Sequence, residues 1–176
     1  MNTKNLILNS MLLGLLLCLN WAYAQEKSKK EIKEEQRLQK EAKVKELMDE
    51  KSFVFKVRDA QPMGTRQINL TNDNYQVEYT PNLVDSYLPF FGRGYSIPYG
   101  GGNGLIFKGE PFDVKFEKKK KYYLLTCSVR SENDVFTFML NVYFEGTAYL
   151  TVNSNNRSTI SYTGEIDSIK KKDKYF

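Results

Sequence analysis

Hydrophobic residues alternate with polar ones through most of the chain beyond residue 51. Phe53, Phe55 and Val57 interleave with Val54, Lys56 and Arg58; Tyr75, Val77 and Tyr79 with Gln76 and Glu78; Phe112, Val114 and Phe116 with Asp113, Lys115 and Glu117. A period of two puts each set on one face of an extended segment, so these stretches predict half-buried β-strands. The longest run is Val135 to Phe144, in which Phe136, Phe138, Leu140, Val142 and Phe144 share a face. Glu145-Gly146 then turns the chain into a run whose Ala148, Leu150 and Val152 point one way, and Ser131 to Asp134 and Asn153 to Arg157 read as further turns. Links this short require antiparallel neighbours. No helical period follows residue 51, which excludes βαβ architectures. The pattern predicts a mainly β domain over residues 52–176, an antiparallel meander that hides its apolar face as a β-sandwich or a flattened barrel.

The opening of the chain is different. Lys4 precedes an apolar stretch from Leu6 to Leu19, and Ala22-Tyr23-Ala24 is a small-x-small cleavage site. Residues 1–24 therefore predict a signal peptide cut after Ala24, and a periplasmic or secreted mature protein. The apolar run is shorter than the roughly 20 residues that cross a bilayer, so no transmembrane anchor is expected in the mature chain. Leu17 stands where a lipid-modified Cys18 would need a small residue. Residues 25–51 are almost entirely Lys, Glu, Arg and Gln, with spacings such as Glu41 to Lys45 that favour a solvated, charged helix. Its apolar residues make no continuous stripe, and Val44, Leu47 and Met48 are the ones placed to rest on the β body. Its basic and acidic residues nearly balance, which argues against a nucleic-acid-binding arm despite the net charge of +5.

The absence of histidine narrows the chemistry further. It rules out a histidine-dependent nucleophile, a histidine-ligated metal and an imidazole switch. After cleavage only Cys127 is left, so no internal disulfide can form, and its alternation with Leu125 and Val129 marks it as a buried thiol. The carboxylates Asp85, Asp113, Glu117, Glu145, Glu165 and Asp167 show no spacing that assembles a catalytic pair, and no calcium loop is present. No enzyme activity, cofactor or metal is expected. The Lys118 to Lys121 run reads as a polar hairpin turn and the Lys170 to Lys174 run as a solvated end, with polyanion or membrane-surface attraction as the lesser reading of both.

One stretch breaks the alternation. Between Thr80 and Leu105 lie six glycines, three prolines and five aromatics, too apolar a composition for a flexible linker. A long ordered loop, 81–104, is predicted. It either closes one end of the β body or offers a surface for a small ligand or an envelope partner, with Tyr87, Arg93, Tyr95 and Tyr99 as polar-tipped contacts. No Gly-Lys-Ser/Thr follows its glycines, so it is not a phosphate loop.

Here the chain resembles a known family, the uncharacterised secreted proteins grouped as domain of unknown function 4251 of Gram-negative bacteria. The resemblance rests on Ser86 to Tyr95, which reads SYLPFFGRGY, on Pro98-Tyr99-Gly100 with Gly104-Leu105-Ile106-Phe107, and on Ser154-Asn155-Asn156-Arg157 followed by Ile160-Ser161-Tyr162-Thr163-Gly164. It implies an exported β domain after a signal peptide and carries over no catalytic or binding residue. The expectation is thus an exported, non-catalytic β domain that binds through its loop. A structural or assembly protein of the envelope is the alternative, and a carboxylate-dependent hydrolase is the third.

Overall fold

The computed structural model describes residues 29–95, 104–132 and 134–170. Residues 1–28, where the signal peptide is expected, Tyr99 and the end of the C-terminal lysine run lie outside the described residues. The chain divides into two units, 1–38 and 39–176, with the boundary inside α1 (Lys29–Glu50), the first helix among the described residues. In the first unit Ile32 and Leu38 are exposed, and Arg37 pairs with Glu34 at 2.6 Å. This is the solvated face that the balanced charge predicts.

The second unit holds the rest of α1 and ten strands. These are β1 (Phe53–Pro62), β2 (Ile68–Asn69), β3 (Gln76–Thr80), β4 (Leu83–Pro89) and β5 (Gly104–Gly109), then β6 (Pro111–Lys118), β7 (Tyr122–Arg130), β8 (Val135–Tyr143), β9 (Thr147–Ser154) and β10 (Ile160–Asp167). They form one antiparallel sheet in the order β5-β4-β3-β1-β10-β9-β8-β7-β6, with β2 paired to β1 outside this path. The sheet curls into a nearly closed barrel whose two edge strands, β5 and β6, are joined through Glu110 alone. Phe107 of β5 stacks on Phe136 of β8 at 4.8 Å and meets Phe138 edge-on. Side-chain packing rather than a backbone ladder thus brings the first edge strand onto the far side.

The inward faces are those the alternation marks. Phe53, Phe55 and Val57, Val77 and Tyr79, Leu125, Cys127 and Val129, and Phe136, Phe138, Leu140 and Val142 are all buried in one core. Among the described residues, Phe55, Tyr79, Cys127 and Phe138 help to border a void of about 20 Å³ in the core. That is room for about one water molecule, so side chains fill this part of the barrel interior.

Strand β6 departs from the alternation. Phe112 and Val114 are exposed, and Phe116 is only half-buried, packed near Tyr79. The pairing with β7 shifts between Phe112 and Lys115, and Asp113 adopts a φ of 52°. A bulge on an edge strand rotates its residues out of register, so a period of two no longer predicts which side faces the core.

The last turns of α1 close one end of the barrel. Val44, Leu47 and Met48 are buried, and Val44 lies above the β8–β9 turn at Gly146. The helix ends with the Ser52 amide donating to the Leu47 carbonyl at 3.4 Å and Lys51 at a φ of 52°, the left-handed residue of a Schellman stop. Asp167, at the end of β10, accepts from Lys43 of α1 at 2.5 Å and from Lys56 of β1 at 2.6 Å. No described helix is long and apolar enough to cross a membrane.

Candidate functional site

The opposite end of the barrel is where β4, β9 and β7 deliver their following loops. Strand β4 buries Ser86, Leu88 and Pro89 and turns Tyr87 outward, so the expected loop 81–104 is corrected: its first part is a strand paired on both sides with β3 and β5, whose alternation the flanking prolines and aromatics obscured in the sequence. Ser86 donates to the Leu105 carbonyl at 2.7 Å, which satisfies its buried hydroxyl. At the end of β4 the Pro89 carbonyl accepts from the buried Tyr162 hydroxyl at 2.5 Å. Burial pushes the Tyr162 phenol far above its ordinary pKa, so it acts as a permanent donor.

From there the chain is fastened to the β9–β10 loop. The Arg93 amide donates to Ser158 Oγ at 2.9 Å, the Ser158 amide to the Arg93 carbonyl at 2.9 Å, and the Tyr95 amide to the Asn156 carbonyl at 2.7 Å. Gly94 and Arg157 form a short antiparallel bridge. Gly92 makes this approach possible, because a Cβ there would collide with Ser158 Oγ and the Phe90 ring. The two sequence motifs, SYLPFFGRGY and Ser154 to Arg157, thus meet in space.

Arg157 is the polar centre of this junction. Its guanidinium lies 5.2 Å from the Phe90 ring and 6.0 Å from that of Phe136, and donates to the Gly104 carbonyl at 3.3 Å. Its Nε is 3.9 Å from Asp134, which also accepts from Ser154 Oγ at 2.6 Å and from the Val135 amide at 2.8 Å. Arg157 therefore touches both ends of the 90–104 segment. Sequence reading singled out Arg93 and passed over Arg157 and Asp134. The available signal was the joint presence of the two motifs, which an alternation analysis does not use.

The predicted contacts fall into separate groups. Arg93 and Tyr95 sit side by side on the fastened strip with exposed side chains, Tyr95 at 69%. Arg93 has no carboxylate partner among the described residues, while Asp85 pairs with Lys108 at 2.6 Å. Tyr87 is exposed on the outer face of β4, its ring 5.3 Å from that of Tyr75. No hydrogen bond or ring contact joins Tyr87 to Arg93 or Tyr95 among the described residues. Tyr99 lies outside the described residues.

Burial raises the Cys127 thiol to a pKa of about 12, which keeps it protonated and unreactive at neutral pH. Among the described residues no group of three or more acidic or thiol side chains is placed to hold a metal ion.

The model for the family Domain of unknown function (DUF4251) matches residues 35–166. The chain belongs to this family. The DUF4251 match takes in the whole fastened strip, its partner loop and all ten strands but the last residue of β10. Among solved structures, the chain is similar to a DUF4251 family protein from Bacteroides eggerthii at 17% identity. The likeness covers 72% of this chain and 86% of that one with a TM-score of 0.58, which shows a shared fold. A comparison with curated proteins finds no match.

Proposed function

We propose that this DUF4251 protein is an exported, non-catalytic β domain that recognises an envelope partner or a small ligand with the strip around Arg93 and Tyr95. The observation that carries this reading is the contrast along Leu88 to Tyr95. Leu88 is fully buried and Phe90 packs under Arg157, while Phe91, Arg93 and Tyr95 face solvent on a backbone held by three hydrogen bonds. A lid that served only the core would turn its aromatics inward. A strip that is rigid before it meets a partner loses little conformational entropy on binding, and an Arg beside a Tyr suits a carboxylate or a sugar hydroxyl.

Export is supported by the Lys4 start, the Leu6 to Leu19 stretch and the Ala22-Tyr23-Ala24 site. N-terminal sequencing of material from the envelope fraction should find Gln25 first; an uncleaved start or a lipid-modified Cys18 would overturn it. For recognition, Arg93→Ala and Tyr95→Ala are compared with the unchanged protein in capture from envelope extract and in thermal unfolding. Lost capture is expected with the melting temperature shifted by only a few degrees, a change on the scale of about 1 kcal/mol. Capture untouched by either substitution would leave the strip as structure.

A further inference from the structure

The outward face of β7 to β10 differs from the rest of the barrel wall. Burial alternates along these strands, so every second side chain points to solvent. Over 122–128, 135–143, 147–153 and 161–163 none of these outward residues is charged, in a chain of which 27% is charged. Charge returns at the borders, with Arg130 at the end of β7 and Glu165 in β10. The outward face of β1 and β3 to β5 carries the ordinary mixture instead: Lys56, Arg58, Glu78 and an Asp85–Lys108 pair at 2.6 Å.

Three tyrosines run across the uncharged face. Tyr122 of β7 is paired with Tyr143 of β8, their ring centroids 5.5 Å apart, and Tyr143 meets Tyr149 of β9 edge-on at 5.7 Å. Beside them, polar side chains are held in place across the strands: Ser128 with Thr137 at 3.4 Å, Thr151 with Ser161 at 3.1 Å, and Thr159 donating to Asn153 at 2.8 Å. A hydroxyl has one donor and two acceptor lone pairs, so each keeps capacity for a ligand after its cross-strand bond is made. Side chains fixed in this way lose little entropy on contact.

We infer that this face binds an uncharged glycan as an extended, ribbon-like chain. The C–H face of a sugar ring packs on Tyr149, and its hydroxyls exchange hydrogen bonds with groups such as Thr151 and Asn153. The electrostatics match: an uncharged chain needs no counter-charge, and the face has no charge to desolvate. Met139 and Tyr149 are its exposed apolar side chains, too few for the apolar centre of a protein interface. The face includes neither Arg93 nor Tyr95, and the inference does not rest on the recognition proposed there.

The test is titration of the purified protein with cellohexaose, mannohexaose and xylohexaose, followed through amide chemical shifts. Saturable binding of at least one is expected, with the shifts confined to β7–β10. Tyr149→Ala should weaken it at least fivefold and Tyr149→Phe should keep it, because the ring makes the contact. Met139→Lys, which puts a charge at the centre of the face, should also weaken it at least fivefold, and Arg93→Ala should leave it unchanged. Melting temperatures within a few degrees of the unchanged protein separate a lost contact from a lost fold. No saturable binding of any of the three, shifts that map elsewhere, or binding that survives both Tyr149→Ala and Met139→Lys would overturn the inference. Tighter binding of polygalacturonate, an anionic chain, would overturn it by assigning the sugar contact to the lysines. Self-association abolished by Tyr149→Ala would overturn it by giving the face to a second copy.

Discussion

The two ends of this barrel are closed by different physics. At the helix end, three apolar side chains of α1 cover the opening, and the polar contacts around them are ion pairs of half-exposed lysines with Asp167. At the loop end, the closure is made of backbone hydrogen bonds between 93–95 and 156–158, a buried Tyr162 donor and an arginine between two rings. Apolar cover tolerates variation in sequence as long as volume and patterning are kept. A closure of buried polar groups must satisfy every donor and acceptor, so each residue in it is constrained by its neighbours. The helix end is therefore the more adaptable seal and the loop end the more specific one. That fits the placement of the exposed Arg93 and Tyr95 on the rigid end.

The sharpest way to break this comparison is Leu47→Ala. Leu47 is 5% exposed, and truncating it should cost about 2–4 kcal/mol, read as a lowered midpoint in chemical denaturation. Amide exchange should accelerate over residues 43–52 while the Tyr95 amide stays protected. Equal loosening of both ends would show a single cooperative unit instead. Next in size is Tyr162→Phe, which leaves the Pro89 carbonyl without its donor and should cost about 1–3 kcal/mol. Here the Tyr95 amide should lose protection and the helix should not.

The smallest effect is electrostatic. Hydrogen bonds from Lys43 and then Lys56 hold the Asp167 carboxyl well below the usual carboxylate range. A carboxyl depressed on folding stabilises the protein above its unfolded pKa of about 4, and that contribution is lost as pH falls from there towards the folded value. Acid titration should thus loosen the helix end first. Asp167→Asn should remove that part of the acid slope, and added salt should reduce it because both lysines are half-exposed. An acid slope unchanged in the asparagine variant would assign it to other carboxylates, such as Asp59, whose pKa the Arg58 hydrogen bond also lowers.

Much of the barrel was legible from alternation alone. The faces of β1, β8 and β9, the turn at Gly146, the β6–β7 hairpin at Lys118 to Lys121 and the burial of Cys127 all follow from local rules, because period, turn chemistry and thiol hydrophobicity belong to neighbouring residues. The resting place of α1 was partly legible too, since Val44, Leu47 and Met48 are the residues it buries.

What the sequence by itself determined is thus most of the strands and which face of most of them is apolar; the start of the stretch it read as the loop 81–104 is strand, Leu83–Pro89. Only the tertiary structure decided that the sheet curls into one barrel, that β6 became a bulged edge exposing Phe112 and Val114, and that Arg157 rather than Arg93 is the arginine held within the fold. The physical reason is range. Alternation is set by residues two apart, whereas edge position and the partner of a charge depend on contacts such as Tyr162 with Pro89 or Arg157 with Gly104, made across the barrel between segments that no local pattern connects.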